Sequence, residues 1–200
     1  MRSIKCFCGA CEFILKQSSP LLSQYCGCKD CAQALRWAST KGGPKPKNLP
    51  ELIYFKSDIT FIRGEEFMKP YKLRESGTST RVYCKKCLAV VGVDNPYYQD
   101  NVFLQFLGHF TTDKELSIKP SAAIFMANHV SIRSGEIPFD IPIFNSFDNP
   151  DELHRWMSIA SVRDTFKSPA RPPSGRSFRE LIASLETTEV LNLEVGAGSI

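Results

Sequence analysis

The sequence predicts a mainly β fold of antiparallel strands with a C-terminal helical appendage. Three observations carry that reading. Short runs rich in Ile, Val, Tyr and Phe, separated by Gly and Pro, recur through the first part of the chain. Cysteines 6, 8, 11, 26, 28, 31, 84 and 87 fall into two triplets and a pair, with strand-like sequence on either side. From Asn149 onward, helix caps precede apolar residues at helical spacing.

In order, Glu12-Phe13-Ile14-Leu15 reads as a strand after the first triplet. The Gly42-Gly43-Pro44-Lys45-Pro46-Lys47 stretch reads as a loop. Leu52 to Phe55 and Ile59 to Arg63 read as strands, with Ser57-Asp58 turning between them. Thr80 to Tyr83 leads into a turn at Cys84, and Leu88 to Asp94 leads out, a hairpin-like metal knuckle. Asn101 to Leu107 gives one more apolar strand, and no long helical period is expected before residue 145. Asn149-Pro150-Asp151-Glu152 then supplies an N-cap, a proline for the first helical position and acids for the first turn. Leu153, Trp156, Met157 and Ala160 would share one face of that helix. Ser168 to Ser174 carries three prolines and reads as a loop. Ser177-Phe178-Arg179-Glu180 is a capping box, opening a helix with Phe178, Leu181, Ile182 and Leu185 on one face. The Gly196-Ala197-Gly198-Ser199 tail is expected to fray. The domain reading is residues 1–147 as a β domain and 148–200 as a helical extension. The apolar helix faces need a cover, either the β core or the second subunit of a homodimer.

Composition bounds the function. With 200 residues, 42% hydrophobic and 23% charged, the chain can bury a core and reads as globular. A net charge of +4, without a long Lys/Arg run, does not point to nucleic acid. No apolar run approaches the ~20 residues a membrane helix needs; Val102 to Phe110 is broken by Gln105, Gly108 and His109. Met1-Arg2-Ser3-Ile4-Lys5 runs into Cys6 with no apolar signal region, so the expected location is cytoplasmic, with the nucleus as the alternative.

In a reducing compartment these cysteines favour metal over disulfides. Cys-x-Cys-x-x-Cys occurs twice, at Cys6-Phe7-Cys8-Gly9-Ala10-Cys11 and at Cys26-Gly27-Cys28-Lys29-Asp30-Cys31, and Cys84-Lys85-Lys86-Cys87 follows. A Cys-x-x-Cys turn aims two sulfurs at one point. All-thiolate sites select zinc or iron–sulfur, and the iron–sulfur spacings are not reproduced here. Two closed four-thiolate sites are one arrangement. One closed site beside an open three-thiolate site is the other, and only that one leaves a position for chemistry.

The order and spacing of these motifs, with Arg81-Val82-Tyr83 before the last pair, resemble the glutathione-dependent formaldehyde-activating enzyme family, which includes centromere protein V. The resemblance covers roughly residues 3 to 145. It implies a β-tent fold and two zinc ions per chain. Cys6, Cys8, Cys84 and Cys87 would hold a structural zinc. Cys26, Cys28 and Cys31 would hold a catalytic zinc with an open position. The implied activity is that of a carbon–sulfur lyase, joining a thiol such as glutathione to an aldehyde or releasing it. Three departures bear on the substrate: Leu88 stands where Gly is usual, Ala123 in Pro120-Ser121-Ala122-Ala123-Ile124-Phe125 stands where a His is frequent, and Cys11 replaces a small or aliphatic residue.

Three thiolates around Zn²⁺ carry a net negative charge, which makes nearby cations useful. Lys29 and Arg36 are the nearest in sequence, with solvation the better reading for Lys29. His109, His129 and His154 are acid–base candidates whose default is core or surface. Trp37, Tyr54, Phe55 and Tyr83 are candidate pocket residues whose default is the β core. Asp30 is either a ligand orienter or a turn residue. Lys41, Lys45 and Lys47 form a basic loop, solvated or facing an acidic ligand. Cys11 is either a small buried apolar residue or a fourth ligand of the central site. The functional expectation is a zinc-dependent carbon–sulfur lyase acting on a thiol adduct, glutathione-type, of an aldehyde or other small electrophile. The alternatives are a non-catalytic zinc module binding chromatin or protein partners, and a purely structural module with two closed sites.

Overall fold

Strand alternation organises the first half of the molecule. The computed structural model describes residues 1–129, 137, 140–167 and 175–194. In β1 (Arg2–Cys6) every second residue is buried, and β2 (Glu12–Leu15) buries Phe13 and Leu15. β3 (Leu22–Cys26) leads into helix α1 (Lys29–Thr40). Then come β4 (Glu51–Lys56), β5 (Ile59–Arg63), β6 (Met68–Lys72), β7 (Thr80–Cys84), β8 (Val90–Asp94), β9 (Val102–Phe106), β10 (Phe110–Thr112) and β11 (Ala123–Ile124). Helices α2 (Pro150–Ser158), α3 (Ala160–Lys167) and α4 (Phe178–Ser184) follow, and β12 (Glu189–Val190) is the last described element. The fold is mainly β, with its helices mostly C-terminal, as the sequence predicts.

Two sheets form. One has four strands in the order β10-β1-β2-β5, all antiparallel. The other has eight, in the order β11-β3-β4-β9-β8-β7-β6-β12, with only β11 and β12 parallel to their neighbours. The central strands β8 and β9 are buried at every residue, because each of their faces meets an apolar layer. One face carries Ile53, Phe55, Val91 and Phe103 against Ile4, Phe13 and Leu15 of the four-stranded sheet and against Phe178 and Leu181 of α4. The other carries Leu52, Tyr54, Val93, Leu104 and Phe106 against Leu35 of α1, Trp156 of α2 and Val162 of α3.

The C-terminal helices start where the caps predict. Asn149 Oδ1 accepts from the Asp151 N–H at 3.0 Å, and Pro150 takes the first helical position. The Ser177–Glu180 capping box is complete. The expected common face of Leu153 to Ala160 is corrected: α2 ends at Ser158, Ile159 is extended, and Ala160 opens α3. Phe178 stacks on Phe103 with ring centroids 4.7 Å apart and meets Phe13 edge-on at 5.9 Å. Gly92 makes room for it, since a Cβ there would lie 2.2 Å from the Phe178 ring. Arg179 holds Asp94 with a fork, at 2.9 and 3.1 Å.

Other readings change. A 12-residue helix, α1, lies within the region expected to lack helices. Its cap is Cys28, whose Sγ accepts from the Cys31 N–H; cysteine lies outside the usual set of cap residues. Its buried stripe is only Ala34, Leu35 and Ala38, a weak periodic signal. Ser57-Asp58 does not close a hairpin; there the chain passes from one sheet to the other. β3 escapes the pattern because its buried Ser23 and Gln24 are polar, and β6 because it contains Pro70. The expected 168–174 loop and 196–199 tail lie outside the described residues. Among the described residues no helix is long and apolar enough to cross a membrane.

The Phe178–Gly92 fit gives a stability test. Phe178→Ala should cost about 3–5 kcal/mol, and Gly92→Ala about 1–3 kcal/mol through overpacking, both read from urea unfolding. The two costs should add to less than their sum in the double variant, because they concern one space. A fully stable Gly92→Ala protein would show that α4 does not pack there.

Candidate metal centres and pocket

Strand ends and tight turns aim the cysteines. Cys6 ends β1 and Cys84 ends β7. After Cys6 the chain reverses at Gly9, in the left-handed region at φ 75°, and the Gly9 N–H donates to the Cys6 carbonyl at 2.8 Å. After Cys84 the turn closes through Leu88, whose φ of 55° is a conformation that glycine adopts at lower cost. These turns gather Cys6, Cys8, Cys84 and Cys87, whose sulfurs all lie within 4.8 Å of one another. The second cluster is more local. Cys26 ends β3, Cys28 caps α1 and Cys31 sits in its first turn, with the three sulfurs again within 4.8 Å. Gly27 permits this turn, since a Cβ there would stand 2.8 Å from the Phe125 carbonyl oxygen.

Both clusters have the dimensions of thiolate metal sites. Four sulfurs about 2.3 Å from a tetrahedral zinc stand about 3.8 Å apart. The Sγ–Sγ distances are 3.6 Å for Cys6–Cys8, 3.9 Å for Cys8–Cys84 and 3.8 Å for Cys26–Cys31. A disulfide needs about 2.05 Å, and all eight cysteines are free. Backbone N–H groups already face the sulfurs: Cys11 N to Cys6 Sγ at 3.2 Å, Cys28 N to Cys26 Sγ at 3.4 Å and Cys31 N to Cys28 Sγ at 3.3 Å. Such donors stabilise the thiolate form. Each cluster can therefore hold a metal ion, and zinc suits the donor set.

The thiols also share charge. Hydrogen bonds from Cys26 and Cys31 hold the Cys28 thiol well below its ordinary range despite burial, helped by the Cys31 N–H and the Arg81 cation. Cys26 is pushed up by the same sharing with Cys28 and Cys31 and by burial. In the first cluster Cys6 is held far down, chiefly by hydrogen bonds from Cys11 and Cys84. Cys11 is pushed up correspondingly. It is 1% exposed, and its Sγ lies 3.7 Å from the Gly64 carbonyl. Cys11 thus lies beside the first cluster, not in the central one.

The clusters differ in what they face. A cavity of about 430 Å³ is lined by Cys26, Cys28 and Cys31 and by none of the other cysteines. Val93, Leu104, Phe106, Ile124 and Phe125 form its apolar lining; Lys29, Asp30, Ser79, Arg81 and Asn95 supply polar groups; Tyr54 and Tyr98 add two phenols. The phenols are anchored from behind. The Trp156 indole N–H donates to Gln24 Oε1 at 3.1 Å, and Gln24 Nε2 donates to the Tyr54 oxygen at 3.0 Å. The Tyr98 ring meets Tyr54 edge-on, with centroids 5.7 Å apart. Phe166 of α3 stacks on Tyr98 at 5.9 Å and meets Tyr54 edge-on at 5.5 Å. Burial raises both phenol pKa values, so each keeps its proton at neutral pH.

Of the aromatic candidates, only Tyr54 lines the cavity. Phe55 is in the core, and Trp37 stacks on Tyr71 and meets Tyr83 edge-on. His109 is buried; its Nδ1 accepts from the Val90 N–H, and burial lowers its pKa to about 4. His129 Nε2 lies 3.1 Å from the Asn48 carbonyl oxygen, and His154 is exposed on α2. Asp30 is held by Arg74 at 2.8 and 3.0 Å. Lys29 is exposed at the cavity edge, and Arg36, Lys41, Lys45 and Lys47 are exposed. Arg81, Asn95 and Tyr98 are cavity residues that the sequence reading did not single out. For Arg81 a signal existed: a charged residue in the middle of a strand that runs into a cysteine knuckle.

A search among curated proteins finds no match. The family model described as glutathione-dependent formaldehyde-activating enzyme matches residues 1–128, which hold β1 to β11, both cysteine clusters and all the cavity residues named above. The matched span is well over half of the chain, and the protein belongs to the glutathione-dependent formaldehyde-activating enzyme family.

Proposed function

We propose that the protein is a zinc-dependent carbon–sulfur lyase acting on a thiol adduct, glutathione-type, of an aldehyde or other small electrophile. The observation that carries this reading is the asymmetry of the clusters: three sulfurs line a cavity, and four lie away from it. Cys6, Cys8, Cys84 and Cys87 would hold a structural zinc. Cys26, Cys28 and Cys31 would hold a catalytic zinc, with one position left toward the cavity. Bound there, zinc would supply stabilisation of a substrate thiolate at neutral pH and polarisation of an adduct oxygen.

The chain's own groups do the remaining work. The backbone N–H groups of Cys28 and Cys31 support the ligand sulfurs. The apolar lining keeps water from the electrophile. Tyr98 lines the cavity, and burial keeps its phenol protonated at neutral pH, so its hydroxyl can donate toward the oxygen of the adduct. It is the general-acid candidate that His109, His129 and His154 are not. The bracing of these phenols starts from Trp156 and Phe166, in the extension proposed as residues 148–200. That extension therefore fixes the acid and narrows the choice of substrate.

Two sets of experiments test this reading. Cys28→Ser should lose one zinc per chain and its thiol chemistry while keeping the native circular dichroism, whereas Cys84→Ser should lose the fold. Equal unfolding of the two would abolish the division of roles. Zinc-edge X-ray absorption should show a light ligand exchanged for sulfur on adding glutathione; two four-sulfur zincs indifferent to thiol would mean a structural module. Tyr98→Phe should lower kcat/KM by about 10²-fold, the low end for a general acid, with zinc content unchanged. A Tyr98→Phe enzyme of full activity would remove Tyr98 from the mechanism.

A further inference from the structure

β7 carries a buried cation into the wall of the cavity. Arg81 is 3% exposed and stands between Tyr71 of β6 and Val93 of β8. Its side chain lines the cavity together with Cys26, Cys28 and Cys31. Among the described residues no carboxylate pairs with it: Asp94 is taken by Arg179, and Asp30 by Arg74. Its Nη1 makes a long bond of 3.4 Å to the Ser79 carbonyl, and its Nε finds no acceptor.

A guanidinium cannot shed its proton to escape this position. An unpaired buried charge is costly, so the group needs an anion. The central thiolates are one, and they attract it by charge alone. They do not use the flat Nε–Nη edge, whose two parallel N–H donors match a carboxylate. We propose that Arg81 is a carboxylate-binding residue, and that the ligand of this cavity is a thiol or thiol adduct whose carboxylate docks on Arg81 while its sulfur faces Cys26, Cys28 and Cys31. The sulfur end of this assignment rests on the lyase reading; the carboxylate end rests on the orphaned edge of Arg81.

The test is calorimetric titration of the zinc-loaded, full-length protein with mercaptopropionate and with its uncharged isostere mercaptopropionamide, with zinc counted in every sample. The wild type should bind the acid about tenfold more tightly than the amide, the value of one charged hydrogen bond. Arg81→Gln should lose that preference and keep its zinc. Arg81→Lys, which keeps the charge but not the fork, should keep its zinc and only part of the preference. Equal binding of acid and amide by the wild type, or an unchanged preference in Arg81→Gln, overturns the assignment and leaves the lyase reading standing. Loss of zinc in Arg81→Gln, with the full preference kept in Arg81→Lys, overturns it too and makes Arg81 only the counter-charge of the cluster. If neither thiol binds the wild type, both readings fall.

Discussion

The pinning of β1 to β7 is the constraint on which the rest of the molecule hangs. β1 belongs to the four-stranded sheet and β7 to the eight-stranded one, so Cys6, Cys8, Cys84 and Cys87 join the two layers at one point. Closing a loop that runs from residue 8 to residue 84 costs chain entropy, which the affinity of a metal ion held by this cluster would offset. The consequences reach the cavity. Arg81 stands three residues before Cys84 on the same strand, so fixing the end of β7 also fixes where the buried guanidinium enters the pocket. Val93, opposite Arg81 on β8, is fixed with it and lines the same cavity.

The duplicated cysteine triplet shows how backbone context divides one sequence pattern into two outcomes. In the first copy Gly9 turns the chain and β2 begins at Glu12, which sends Cys11 into the core against Gly64. In the second copy Cys28 caps a helix, and one turn of α1 brings Cys31 back beside Cys26. The third cysteine is a packing residue in one and a member of the sulfur cluster in the other. The first cluster recruits its missing partners from the β7–β8 hairpin, while the second has the cavity where further partners would stand. On the proposed reading that difference separates a closed site from an open one.

Most of what chain-local chemistry dictates was legible in the sequence. The bounds of Glu12–Leu15 and Ile59–Arg63, the Asn149 cap and the Ser177 capping box all follow from side chains acting on their own backbone. The cysteine groups were legible because metal geometry demands close spacing. What escaped depends on partners distant in sequence. β3 looks polar until Trp156, 132 residues on, supplies the donor for Gln24. α1 hides behind a cysteine cap. Tyr98 becomes a cavity residue only because Tyr54 and Phe166 hold it. Arg81 was visible as part of a motif, but its isolation from every carboxylate among the described residues is a property of the fold.

Of the three departures noted in the sequence, the one at Ala123 lies next to the cavity lining. Ala123 is fully buried in β11, pairs with Tyr25 of β3 and can move no proton, whereas the next two residues, Ile124 and Phe125, line the pocket. Tyr54 and Tyr98, the phenols that α2 and α3 brace, add polar groups to that pocket. From Trp156 through Gln24 to the Tyr54 oxygen runs a hydrogen-bond chain in which each bond polarises the next. It also ties α2 to the cavity wall: displacing Trp156 would leave Gln24 and the cavity-lining Tyr54 without their order. The matched family span ends at residue 128, and Trp156 and Phe166, which brace these phenols, lie beyond it. On the proposed reading the metal ligands fix the class of chemistry, and the C-terminal extension and Arg81 fix which adduct the cavity accepts.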